Sequence, residues 1–174
     1  MATTVAEMEL TDYNKVVLLG GALSLLLHWV SHGGIQMKSI AVKALRNLSS
    51  IPKNGLQMIK EGAARPLLDL LYLSSSSPTL REQVSTTIMH LALSTMSQEY
   101  NEMPVSLLES DGDIYMLFSL INLSGPEVQQ NILQVFQALC QSPSAANIKT
   151  KLIQVYILLE NDVSLNFYAG IYFF

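Results

Sequence analysis

The side chains best equipped for chemistry are few and scattered. The histidines His28, His32 and His90 stand far apart, and no carboxylate or cysteine recurs around them at ligand spacing. A structural or exposed role outweighs a metal-ligand or general-base role for each. The single cysteine, Cys140, excludes an internal disulfide and a cysteine-rich zinc site. Its place at a core-facing helix end makes packing its default role, and a reducing compartment is compatible with it. The serine run at 74–77 offers hydroxyls for phosphorylation. The chain contains no G-x-x-x-x-G-K-[ST], G-x-S-x-G or H-E-x-x-H motif. No acid, base and nucleophile converge, so the reading is a non-enzyme with no cofactor and no metal.

Charge carries more information. The chain is 49% hydrophobic and 14% charged, with a net charge of −4. That suffices for a core and gives no reason to expect nucleic acid as a partner. Between residues 38 and 65 stand Lys38, Lys43, Arg46, Lys53, Lys60 and Arg65 against one acid, Glu61. Between residues 66 and 130 stand eight acids against one base, Arg81. These stretches are either solvated helix faces or a polarised binding surface.

The elements that must position these residues repeat. Apolar residues recur at three and four, which predicts helices rather than strands. Residues 40–49 lie over residues 83–92, with Ala41, Ala44, Leu45 and Leu48 matching Val84, Thr87, Ile88 and Leu91. A pattern returning after about forty residues predicts a stacked repeat. In order, residues 1–13 read as a disordered N-terminus, and 14–19 as a short helix broken by Gly20-Gly21. Helices at 22–30 and 35–49 follow. After a loop at 52–55 come a short helix at 56–60, a bend at Gly62, a middle helix containing Pro66, and a long helix to Ser94 capped by Ser77 or Thr79. A third unit has a short helix at 104–109, a bend at Asp111-Gly112-Asp113, a middle helix at 114–123 and a long helix from Ser124 onward. Gly21, Gly62 and Gly112 mark the common bend.

The apolar run at 16–30 is flanked upstream by Glu7, Glu9 and Asp12 rather than by bases. It falls short of the ~20 residues that span a bilayer, so it reads as a core helix and not as a signal or an anchor. Residues 145–154 start a fourth unit. Residues 155–174 form an irregular tail, unlike the polar cap that ends a stack.

Short helix, glycine bend, middle helix and a long helix ending in A-L-x-N-L-S resembles the armadillo repeat. Ala44-Leu45-Arg46-Asn47-Leu48-Ser49 matches that ending, and the stretch from Gly62 to Leu71 matches its G-A-x-x-x-L-x-x-L-L middle helix. The expected fold is all-α: a right-handed α-solenoid of about three armadillo repeats, at 14–50, 53–95 and 103–142, followed by the irregular tail. The run from Val42 to Leu71 is similar to the armadillo region of plant U-box ubiquitin ligases of the senescence-associated group. In that family a U-box recruits the ubiquitin-charged enzyme. Only about a dozen residues precede Asn14, so the U-box, and ligase activity with it, is not expected here.

The resemblance implies a concave groove along the long helices, where the Asn of A-L-x-N-L holds an extended peptide through its carboxamide. Asn47 occupies that position, with His90 and Ala138 as equivalents. Lys43, Thr86 and Gln134 stand one turn earlier, where import receptors need Trp, so import-receptor function is not expected. The candidate groove is Lys43, Arg46, Asn47, Thr86, His90, Gln130, Gln134 and Gln137. The same residues also fit plain solvated faces. The implied partner is a protein or substrate of a ubiquitin-ligase pathway, bound by a monomer. The implied location is cytoplasmic, or peripheral at the plasma membrane without a direct anchor. An independent armadillo adaptor and a truncated, non-functional product are the alternatives.

Overall fold

A helix with apolar residues at i, i+3 and i+4 has one stripe to bury, and this chain makes such helices one after another. A computed structural model describes residues 11–73, 77–97, 105–108, 110–142, 149–150 and 152–154. Among the described residues seven helices follow in order and no strand occurs. They are α1 (Asp12–His32), α2 (Ile35–Ser49), α3 (Pro52–Lys60), α4 (Ala64–Leu73), α5 (Pro78–Thr95), α6 (Asp111–Leu123) and α7 (Pro126–Gln141).

Helix α1 starts two residues earlier than expected, because the Thr11 hydroxyl accepts from the Asn14 N–H. The expected break at Gly20-Gly21 is absent, and α1 is continuous through it. Two interior glycines cost a helix about 1 kcal/mol each relative to alanine. Leu19, Ala22, Leu23, Leu26 and Val30 flank the pair on one buried stripe. Burying leucines at about 1.5–3 kcal/mol each outweighs the two glycines. By length and composition α1 could cross a membrane, yet that stripe is packed inside the protein.

Helix α2 has the expected ends. Its buried face is Ala41, Val42, Ala44, Leu45, Leu48 and Ser49. The expected loop at 52–55 is instead the first turn of α3, because Pro52 sits at its start, where a missing N–H is harmless. Asn54 is buried there, and its Nδ2 donates to the Leu48 carbonyl at 2.9 Å. This satisfies an open carbonyl at the end of α2.

Of the three glycines expected to mark bends, only Gly62 does so. Its φ is +79°, and no other described residue has a positive φ. The Gly62 N–H bonds to Ile59 O and the Ala63 N–H to Met58 O, each at 2.9 Å. Met58 and Ala63 are both fully buried beneath this reversal. Gly21 lies inside α1, and Gly112 inside the first turn of α6.

The third unit departs most from expectation. Within the expected helix at 104–109, residues 105–108 are not helical. The Ser106 hydroxyl donates to the Leu108 carbonyl at 2.7 Å, a local bond that competes with a helical one, while Leu107 is buried. Asp111-Gly112-Asp113 is helix rather than bend. Ser110 caps α6, accepting from the Asp113 N–H, and Asp113 accepts from the Ser110 N–H in return. Helix α7 buries Val128, Asn131, Ile132, Val135, Phe136, Ala138 and Leu139. Phe136 stacks on Phe118 of α6 with ring centres 4.5 Å apart.

The long helices α2, α5 and α7 stand side by side in chain order, α2 against α5 and α5 against α7. Helix α1 packs on α2, α3 and α4, helices α3 and α4 pack on α5, and α6 packs on α7. Beyond α7, residues 149–150 and 152–154 are helical and Leu152 is buried, where the start of a further unit is expected. The tail at 155–174 and the residues before Thr11 lie outside the described residues.

Candidate functional site

The seams between the long helices are laced with small polar side chains. Ser49, Ser85, Thr87, Ser94 and Thr95 are buried. Each hydroxyl returns a hydrogen bond to a carbonyl one turn earlier in its own helix. Between α2 and α5, the Ser49 hydroxyl lies 3.0 Å from both the Arg46 carbonyl and His90 Nδ1. A hydroxyl has one proton; with it on the carbonyl, Nδ1 carries hydrogen and donates to Ser49 Oγ.

His90 is half-buried at the edge of this seam. Burial pushes its imidazole pKa down, and the Arg46 and Lys15 cations push the same way. A hydrogen bond to the Arg46 backbone opposes them without reversing the shift. The ring therefore sits in a positive field.

Beside it opens a depression of about 360 Å³ lined by Lys15, Lys43, Arg46, Asn47, Ser50 and His90. Three helices contribute. Helix α1 supplies Lys15, the last two turns of α2 supply Lys43, Arg46 and Asn47, and α5 supplies His90. Lys15 Nζ donates to Ser50 Oγ at 2.8 Å, and Ser50 Oγ donates to the Asn47 carbonyl at 2.9 Å. Cations gather here over the C-terminal end of α2, where open carbonyls favour them.

Of the eight candidate groove residues, Lys43, Arg46, Asn47 and His90 share this depression. Thr86 belongs to the next seam: its hydroxyl donates to Glu82 O at 2.9 Å and accepts from Asn131 Nδ2 at 3.1 Å. Asn131 is buried and also donates to Ser85 Oγ at 2.9 Å, joining α7 to α5. Gln130 and Gln137 are exposed on α7, Gln134 is half-buried, and none of the three lines the depression. Ala138, in the position equivalent to Asn47, is buried.

Sequence reasoning missed Lys15 and Ser50. Ser50 directly follows the A-L-x-N-L-S ending and was within reach. Lys15 arrives from 35 residues away through the packing of α1 on α2, which no local spacing announces.

A second charged cluster joins α4 to α6. Arg65 Nε donates to Asp69 and Nη1 to Asp113 Oδ1, at 2.9 and 2.8 Å. Tyr72 Oη donates to the Asp113 carbonyl at 3.3 Å. Burial and the Asp113 charge hold the Tyr72 phenol well above its ordinary pKa. These contacts tie the basic stretch to the acidic one and form a clamp.

The remaining reactive groups are isolated. Burial pushes the Cys140 thiol up, against a smaller opposing pull from Lys149, so it stays protonated near neutrality. His28 and His32 stack on one another at 4.9 Å at the end of α1. Among the described residues no three metal-ligating side chains converge. Residues 74–76 of the serine run lie outside the described residues, and Ser77 is the N-cap of α5.

No family model matches the chain, and no solved structure matches it. Two curated plant proteins do. Over 93% of its length the chain is 27% identical to U-box domain-containing protein 44 of Arabidopsis thaliana. It is 26% identical to U-box domain-containing protein 43 of the same plant over the same share. The chain spans about a fifth of the length of these relatives, 21% and 22%.

Proposed function

We propose that this chain is an armadillo-type interaction module of the ubiquitin-ligase pathway, acting by holding a protein partner. One observation carries the reading: α2, α5 and α7 stand in a row, each with the preceding helix packed against it, and Lys43, Thr86 and Gln134 take matching places along the row. The units are 14–50, 53–95 and 103–142, with a fourth beginning at 145–154. The similarity to U-box proteins across 93% of the chain supports the pathway.

The partner lies as an extended segment along the row. Asn47 engages its backbone, since a carboxamide offers both a donor and an acceptor. Lys43, Arg46 and His90 flank that contact, while Gln130, Gln134 and Gln137 meet the segment further along α7. The module acts by binding, in the cytoplasm, without transferring ubiquitin itself.

The test is competition. Purified chain in excess is added to a ubiquitination reaction containing an intact plant U-box relative and its substrate. Substrate modification falls, and Asn47→Ala weakens the inhibition. Unchanged modification at excess chain overturns the reading.

A further inference from the structure

The depression at the C-terminal end of α2 has a feature that a generic peptide groove does not require. Among the described residues its lining holds three cations, Lys15, Lys43 and Arg46, and no carboxylate. They come from two helices, so the cluster exists only in the folded chain. Lys15 is held by one hydrogen bond to Ser50, which leaves two ammonium hydrogens for other acceptors. At about 360 Å³ it has room for a side chain and its head group.

We propose that this depression is a subsite for an oxyanion carried by a side chain of the bound segment, a carboxylate or a phosphoryl group. The proposal rests on the reading that this face holds a partner segment. Asn47 borders the cations, so the segment's backbone on Asn47 delivers the anionic side chain among Lys15, Lys43 and Arg46. Arg46 offers a planar fork that pairs with either oxyanion through two hydrogen bonds, and the two lysines add charge. A basic segment would meet three like charges here and is excluded by them.

Three short peptides and the full chain test this: acetyl-Ala-Glu-Ala-amide, acetyl-Ala-phosphoSer-Ala-amide and acetyl-Ala-Gln-Ala-amide. Each is titrated while the His90 ring and Asn47 side-chain amide signals are followed by NMR. At least one anionic peptide shifts both signals saturably, about tenfold more tightly than the glutamine peptide, and added salt weakens it. Saturation by both anionic peptides assigns a carboxylate-competent site, and saturation by the phosphoserine peptide alone assigns a phosphoryl site. The double variant Lys15→Gln/Arg46→Gln loses the preference for anion while its melting temperature is kept. Should that variant fail to fold, Lys43→Gln alone must weaken anionic binding. Equal binding of all three peptides, no saturable shift with either anionic one, or an unaffected folded variant overturns the proposal. The competition assay fails or succeeds separately: inhibition that depends on Asn47 but not on Lys15 and Arg46 keeps the groove and removes the anion subsite.

Discussion

Arg65 is where the basic and acidic stretches meet as individual atoms. Its two carboxylate partners differ. The pair with Asp69 is one helical turn apart, with side chains 43% and 53% exposed, whereas the Asp113 side chain is 4% exposed. Exposed pairs at this spacing contribute about 0.3–0.5 kcal/mol. A buried carboxylate that loses a partner costs more, about 1–3 kcal/mol once the exposure of the guanidinium is discounted. Arg65→Ala is therefore expected to destabilise the protein by about 1–3 kcal/mol, and Asp69→Ala by less than about 0.5 kcal/mol. Burial alone would raise the Asp113 pKa, but bonds from the Ser110 side chain and backbone and from Arg65 hold it below the ordinary value. The stabilisation is then complete above the unfolded carboxylate pKa of ~3.9 and is lost as pH falls below it. Urea unfolding of both variants at neutral and acidic pH checks this. Equal losses for the two variants would show that the bridge to Asp113 is dispensable. The sequence read Arg65 and Asp113 as members of two charged stretches. Their pairing across 48 residues depends on how α4 meets α6 and was not legible.

Helix periodicity was legible and helix ends were only partly so. The bounds of α2, the Ser77 cap, the Gly62 reversal and the buried stripe of α7 all follow from local rules, because each is set within a turn or two. The misread elements were decided partly by tertiary contacts and partly by local bonds that spacing does not announce, such as the Ser106 bond to Leu108 and the Ser110–Asp113 capping box. Gly20-Gly21 stays helical because leucines on both sides of it are buried, and residues 105–108 stay irregular although Leu107 and Leu108 are buried. Gly55 is the sharpest case, a glycine inside a helix that local reasoning assigned to a loop. A Cβ built there lies 2.0 Å from Ser94 Oγ and 2.7 Å from Ser94 Cβ. The Oγ could rotate away, but the Cβ is fixed to α5, so α3 must move. Gly55→Ala is expected to cost about 1–3 kcal/mol through overpacking, despite alanine's higher helix propensity. Combining it with Ser94→Gly removes the clash, so the double-mutant cycle shows a favourable coupling. Additive losses in that cycle would mean that α3 and α5 are not in contact at this point.

At the scale of the whole molecule, one hydrophobic cluster runs from Leu19 to Leu152 and is built from the packing of neighbouring helices. Helix α5 touches α2, α3, α4 and α7; α1 packs on α2, α3 and α4, and α6 packs on α7 and is tied to α4 through Asp113. The site inherits this layout. Lys15, Lys43, Arg46, Asn47 and His90 need α1, α2 and α5 in place, whereas Gln130, Gln134 and Gln137 ride on α7. The sequence read a repeat, and α2, α5 and α7 do stand in a row, but it could not show that the position on α7 aligned with Asn47 turns inward as buried Ala138. A chain stabilised mainly between neighbours opens in segments rather than all at once. Phe136→Ala on α7 and Leu26→Ala on α1 remove fully buried side chains, each at a cost of about 2–5 kcal/mol. Hydrogen exchange on the two variants separates the ends. Phe136→Ala is expected to lower protection chiefly in α6 and α7 and to leave the Lys43–Asn47 region of α2 closed. Leu26→Ala should expose α1 and α2 and abolish peptide-induced shifts at His90 while α7 remains protected. A uniform loss along all seven helices in both variants would mean one cooperative core, and the division of the site between the two ends would then carry no energetic weight.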